Sequence, residues 1–336
     1  MMNEELLALI ETKNHHGDSV FAYNSLVEEA LKISKRCLSS DKPLIVVKEN
    51  NYMANRLKDI LVSYFEDEEI VSYLPEESLR SEEIATSFEN RAERLLALYR
   101  IITSKPKVIV TSPYGFIRHL PEREVLLNSI IHLKKDDILE REDLIEKLRK
   151  LGYEKTVHVE TPMTFAVRGY IVDVFSVNYP KPFRIEFFDD VIDSIRFFDI
   201  NTQRSEEVND EVTICFAKDV FFNDEEKEFL KENVELTSGE LELNMEYLLN
   251  DVFKQSSYFF YAYFKKEHLI DYLDADIYLS DKSKIDEHLK MLSEETIAYI
   301  QEMHEEKKLP LKFYVYEDFK RLLYNQYVIE CQPFID

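Results

Sequence analysis

Five short segments between Lys42 and Pro113 restrict the fold more than any other feature of the chain. "KPLIVVKEN" (42–50) and "KVIVTSP" (107–113) are nearly continuous apolar runs, the pattern of strands covered on both faces. Between them lie "MANRLKDILVSYF" (53–65) and "ENRAERLLALYRIIT" (89–103), whose apolar residues recur at helical spacing, and the short strand-like "EIVSYLP" (69–75). Parallel strands need long crossovers, and helices of this length supply them, so residues 1–118 are expected to form a parallel α/β sheet.

From 119 to 205 the pattern becomes α+β. "EREDLIEKLRKLGY" (140–153) reads as an amphipathic helix closed at Gly152, followed by "TFAVRGYIVDVF" (164–175) and "RIEFFDDVIDSIRFFD" (184–199) around the turn "SVNYPKP". From 206 to 336 mixed elements return: strands at "EVTICFA" and "ADIYLSD", and helices near 224–233 and 284–306.

The 184–199 segment carries the functional expectation. With a turn over Asp189, Asp190 and Val191, Phe188 faces Ile192, Glu186 faces Ser194 and Arg184 faces Arg196 on one side. The other side receives Phe187 opposite Asp193, Ile185 opposite Ile195 and Phe183 opposite Phe197, an apolar core face. A two-residue turn is set aside because it scatters polar and apolar residues over both faces. Arg168 is expected on the same face as Tyr170 and Val172, beside Arg184, with Gly169 marking a bulge or a close backbone approach. Such a face, an aromatic ring among arginines, has the composition of protein–protein hot spots. The bland alternative is a half-solvated sheet with one incidental exposed Phe.

The net charge of −24, from 66 acidic and 42 basic residues, argues against a broad phosphate-tracking surface and directs a small cationic patch toward an acidic protein partner. Three scattered cysteines suggest neither a disulfide framework nor a zinc site. No apolar run reaches the roughly 18 residues of a membrane span, and the acidic start "MMNEELLALIE" is unlike a signal peptide, so a cytoplasmic protein is expected.

The run from Phe165 to Ser205 resembles domain 2 of the transcription-repair coupling factor family, and more distantly the excision-repair protein UvrB. The matching pieces are "FAVRGYIVDVF", "RIEFFDDVIDSIRFFD" and the closing "TQRS". Weaker likeness on both sides extends the match over the chain. Tyr170 stands where the family usually has a second Gly, and Asp189 replaces the Gly of its turn.

The resemblance implies a degenerate RecA/P-loop-like parallel-sheet domain assembled from N- and C-terminal parts, with residues 1–118 as a degenerate nucleotide-fold (1A-like) domain and 206–336 as a second UvrB-like (1B-like) domain. It also implies a central UvrA-binding domain at 119–205. It implies UvrA as partner, with Arg168, Arg184 and Phe188 carried over as binding residues; Arg196 and Ile192 are added from the hairpin register alone. In the longer family proteins a C-terminal domain covers this surface, and RNA polymerase and the ATP- and Mg²⁺-dependent motor belong to parts this chain does not contain.

An enzyme reading finds little support in the residues. No Gly-Lys-Ser/Thr occurs, Gly17 is alone in "HHGDSVFAYNS", and "DIYLSDKS" offers Ser280 and Asp281 where an Asp-Glu pair is needed, so no catalytic residue, metal site or cofactor is expected in this chain. His15 and His16 adjoin that Gly, and the remaining histidines lack zinc-binding spacing. Two alternatives stay open: a UvrB-like nucleotide-dependent DNA-binding protein, and a structural brace for translocase domains.

Overall fold

A computed structural model describes residues 20–81, 87–236 and 238–333. Three helices near the start begin where a polar side chain caps them. Ser25 accepts from the backbone of Glu28 at the head of α1 (Leu26–Leu38), Asn50 from Met53 before α2 (Asn51–Leu61), and Ser87 from Asn90 before α3 (Phe88–Ser104). They connect the strands β1 (Val20–Tyr23), β2 (Leu44–Val47), β3 (Ile70–Tyr73) and β4 (Val108–Thr111).

All of these strands are parallel, and the late strands β13 (Asp276–Ser280) and β14 (Val328–Pro333) are inserted among them, giving the order β1-β14-β13-β2-β4-β3. One parallel sheet is thus built from both ends of the chain. The continuous apolar runs are explained by burial: every residue of β2, β4 and β13 is enclosed.

The middle of the chain forms a second six-stranded sheet, ordered β11-β10-β9-β8-β7-β6. Its strands are β6 (Glu154–Lys155), β7 (Thr164–Arg168), β8 (Ile171–Phe175), β9 (Phe183–Phe188), β10 (Val191–Phe198) and β11 (Ser205–Asn209). All neighbours are antiparallel except β6 and β7. A separate two-stranded ladder joins β5 (Ile131–Lys134) to β12 (Glu211–Ile214).

Helix α4 (Arg141–Lys150) lays Leu144, Ile145 and Leu148 into the same buried cluster as Phe165, Val172, Val174, Phe183, Ile185, Phe187, Ile192 and Ile195, the inner face of the second sheet. Gly152, at φ +90°, reverses the chain after α4 as its sequence position suggests. The long helix α5 (Lys282–Glu305) follows β13.

Two readings of the central strands are corrected. "TFAVRGYIVDVF" is not one strand but a hairpin: Gly169 and Tyr170 form its turn, with Gly169 at φ +58°, and Arg168 pairs with Ile171. Val172 therefore faces the core, opposite to Arg168. No atom lies within 4 Å of where a Cβ on Gly169 would sit, so the turn angle and not a close approach explains that glycine.

The second correction concerns the 184–199 hairpin. Its turn has two residues, Asp189 and Asp190, with Asp189 at φ +52°, and the register shifts between Ile192 and Ser194. The bulge at Asp193 absorbs one residue. From Ser194 onward the pairs are those expected: Ser194 with Glu186, Ile195 with Ile185, Arg196 with Arg184, Phe197 with Phe183. Nearer the turn they differ, because Val191, not Ile192, opposes Phe188, and Ile192 swings inward against Phe187.

Candidate protein-docking face

The outer face of the second sheet is organised in rows that run across the strands. One row is Ala166, Asp173, Arg184, Arg196 and Val208, each the cross-strand partner of the next. The next, one pleat nearer the hairpin turn, is Arg168, Ile171, Glu186 and Ser194. Beyond it stand Phe188 and Val191. The far end of this face is closed by a small cluster of Val159, Ala166, Phe175 and Phe198.

Asp173 organises the first row. It is 1% exposed, and its two carboxylate oxygens accept from Arg184 Nε at 2.7 Å and Nη2 at 2.9 Å. This two-pronged pair raises the Arg184 pKa above its ordinary value through those hydrogen bonds. The Arg184 guanidinium also lies 4.9 Å from the centre of the Phe198 ring. Arg168 approaches the same carboxylate at 3.7 Å and donates to His158 Nδ1 at 3.1 Å. Arg196 is half-buried, and its Nε is enclosed without a hydrogen-bond partner. In the second row Ser194 donates to Glu186 Oε2 at 2.8 Å.

The face brings together four of the five residues expected there. Arg168 is exposed, Arg184 and Arg196 are half-buried side by side, and Phe188 is 73% exposed. Ile192 does not join them. It is fully buried, because the bulge turns it into the core, and it is no surface residue.

A further difference is electrostatic. The three arginines share their rows with Asp173 and Glu186, so the patch is only weakly cationic and Arg184 is already spoken for. Asp173 was missed as an organiser although "VDV" placed it in plain view; a carboxylate in mid-strand between valines needs a partner when buried.

At the carboxyl end of β2, on the edge where open α/β sheets hold ligands, the chain's own side chains bond to one another. Lys48, at the end of β2, is fully enclosed and reaches Glu29 of α1 at 3.0 Å and Ser280 of β13 at 2.6 Å, with Glu49 at 3.6 Å. Among the described residues no group of three or more His, Cys, Asp or Glu is placed to hold a metal ion, and no helix is long and apolar enough to cross a membrane. His15, His16 and Gly17 lie outside the described residues.

The family profile described as the UvrB interaction domain matches residues 131–219, the segment that contains the whole outer face just described. The chain carries a UvrB interaction domain. It is 29% identical to the transcription-repair-coupling factor of Bacillus subtilis (strain 168), over 80% of this chain and 25% of that protein. It is 28% identical to the transcription-repair-coupling factors of Staphylococcus aureus strains bovine RF122 / ET3-1 and MRSA252, over 95% of this chain and 30% of each. The chain thus spans 25–30% of the length of these relatives, and it matches their UvrB-like N-terminal module.

Proposed function

We propose that this chain is a non-catalytic adaptor that recruits UvrA in transcription-coupled nucleotide excision repair, through the outer face of the UvrB interaction domain. The observation that carries the reading is Phe188. A phenylalanine 73% exposed at the tip of a hairpin, one pleat from the row of Arg168 and Glu186 and two from that of Arg184 and Arg196, is an uncovered anchor of the kind that concentrates binding energy. Arg168, Arg184 and Arg196 orient the partner, and Phe188 supplies most of the affinity.

The parallel sheet is read as a degenerate RecA-like domain. Its ligand rim holds Lys48, Glu29 and Ser280 bonded to one another, so that this lysine is already neutralised by the chain's own carboxylate and is not offered to a phosphate. ATP hydrolysis, RNA polymerase contact and the C-terminal cover belong, in this reading, to parts of the longer relatives outside this chain, and the site of action is the cytoplasm.

The deciding experiment measures UvrA binding by isothermal titration calorimetry for the native chain and for Phe188→Ala. A hot-spot ring costs about 2 kcal/mol or more on truncation, a loss of at least about 30-fold. Native-like binding by Phe188→Ala, with an unchanged circular-dichroism spectrum, overturns the reading.

A further inference from the structure

The outer face does not end at the 184–199 hairpin. Residues 136–139, between β5 and α4, lie against the free edge of β10 where β11 does not reach. Asp136 N–H donates to the Ile192 carbonyl at 2.9 Å, Ile192 N–H to the Asp137 carbonyl at 3.0 Å, and Leu139 N–H to the Asp190 carbonyl at 2.8 Å. Ile138 is the bridge partner of Val191, which is in turn the partner of Phe188. Cross-strand partners point to the same side of a sheet, so Ile138, Val191 and Phe188 form one apolar row across three segments.

Ile138 is 84% exposed. It is not the tip of a loose loop. Its neighbours are tied to β10 by those three bonds, Asp137 Oδ2 accepts from Lys134 N–H at 2.7 Å, and Leu139 is packed against the main core. The opposite flank of Phe188 is pinned as well, since Arg141 at the head of α4 donates to the Gly169 carbonyl. A β-branched residue held in register and left in water adds little rotamer entropy cost when a partner covers it.

We infer that Ile138 is a second apolar anchor for the partner that Phe188 binds, so that the recognised surface is a two-point apolar row with Arg168 in the row beside it. This rests on the docking reading above and deepens it. Two observations name the occupant's chemistry. The row is continuous with the face assigned to UvrA, and Arg168 in the adjoining row and Arg196 one row further are less satisfied internally than Arg184, whereas the exposed Asp136, Asp189 and Asp190 adjoin its other side. The occupant is therefore a surface with an apolar recess and an acidic rim on the Arg168 side, and the weak charge surplus of the patch leaves most of the affinity to the recess.

The test titrates UvrA against the native chain, Ile138→Ala, Ile138→Asp and Phe188→Ala, each checked for unchanged circular dichroism and melting. Ile138→Ala is expected to weaken binding about tenfold, and Ile138→Asp more, because it also sets a carboxylate against the apolar recess. Binding within twofold of native by both Ile138 variants, with Phe188→Ala impaired, overturns the second anchor and leaves the docking reading standing. Native binding by all variants, or none by the native chain, sinks both. Loss in the Ile138 variants alone supports Ile138 and removes Phe188 from its role.

Discussion

Replacing Arg184 by Met separates what this arginine does for the fold from what it does for a partner. Asp173 is 1% exposed and its carboxylate takes two charge-assisted bonds, of 2.7 and 2.9 Å, from that guanidinium. Breaking a buried pair by removing one partner costs roughly 3–5 kcal/mol, because the remaining charge stays enclosed. Arg168, 3.7 Å from the same carboxylate, holds the cost near the lower end, about 3 kcal/mol. Asp173→Asn costs less, about 2 kcal/mol, since the Arg184 side chain keeps 15% of its exposure and is partly rehydrated.

The double variant Asp173→Asn/Arg184→Met is expected to cost no more than Arg184→Met alone, a coupling of about 2 kcal/mol. Because the chain holds two sheets, a single melting midpoint does not isolate this site; amide hydrogen exchange in β8 and β9 does. Three kcal/mol of local destabilisation is about a 150-fold faster exchange. Exchange within threefold of native in Arg184→Met, or strictly additive costs in the double variant, refutes the argument. A loss of UvrA binding in an Arg184 variant therefore needs this control before it counts as a lost contact.

Other expectations follow from single groups. Burial, and next the neighbouring His268 ring with Nε2 3.2 Å from His119 Nδ1, push the His119 pKa down to about 3. The unfolded chain takes up that proton near pH 6.5 and the folded chain does not, so stability falls as pH drops from about 6.5 toward 3, by about 2–3 kcal/mol at pH 4.5. His119→Phe should flatten that share of the slope in urea unfolding. Gly152→Ala should cost about 3 kcal/mol, since at φ +90° its Cβ meets Lys218 Cβ at 2.9 Å, whereas Gly169→Ala at φ +58° in open space should cost about 1. Equal unfolding midpoints for the two alanine variants contradict the comparison.

The parallel sheet was legible because its strands are buried on both faces, and burial writes itself as unbroken runs such as "LIVV" and "VIVT". The helices between them were legible from apolar spacing, though their starts at the capping Asn50 and Ser87 lie one to three residues ahead of the apolar-spaced segments 53–65 and 89–103. The flanking strands β1 and β14 and the helix Gly239–Leu249 were not, since their local patterns carry meaning only once neighbours are in place.

The hairpin shows the limit most clearly. Four of its pairings follow from alternation, but alternation assumes an uninterrupted ladder, and one bulged residue at Asp193 reverses Ile192 while sparing Arg196. Nothing in "DDVID" marks which aspartate will bulge. Ile138 was illegible for a different reason: its partner Val191 is fifty-three residues away, and no periodicity within "KKDDILE" reports an edge contact.

The two sheets divide their surfaces in opposite ways, and that division argues for where this chain acts. At the rim of the parallel sheet several charged groups have found partners in the same chain: Lys48 is bonded to Glu29 and Ser280, and Asp281 accepts from Ser283 and Lys284. A site satisfied internally must break those bonds before it can hold anything else, and each buried charge stranded in doing so opposes binding. On the outer face of the second sheet the polar rows are likewise bonded, through Asp173 and Glu186, but the apolar row of Phe188 and Ile138 remains in water. Covering it strands nothing and releases its hydration shell, while the bonded rows hold it rigid. Of these two surfaces among the described residues, the second gains free energy without first losing it.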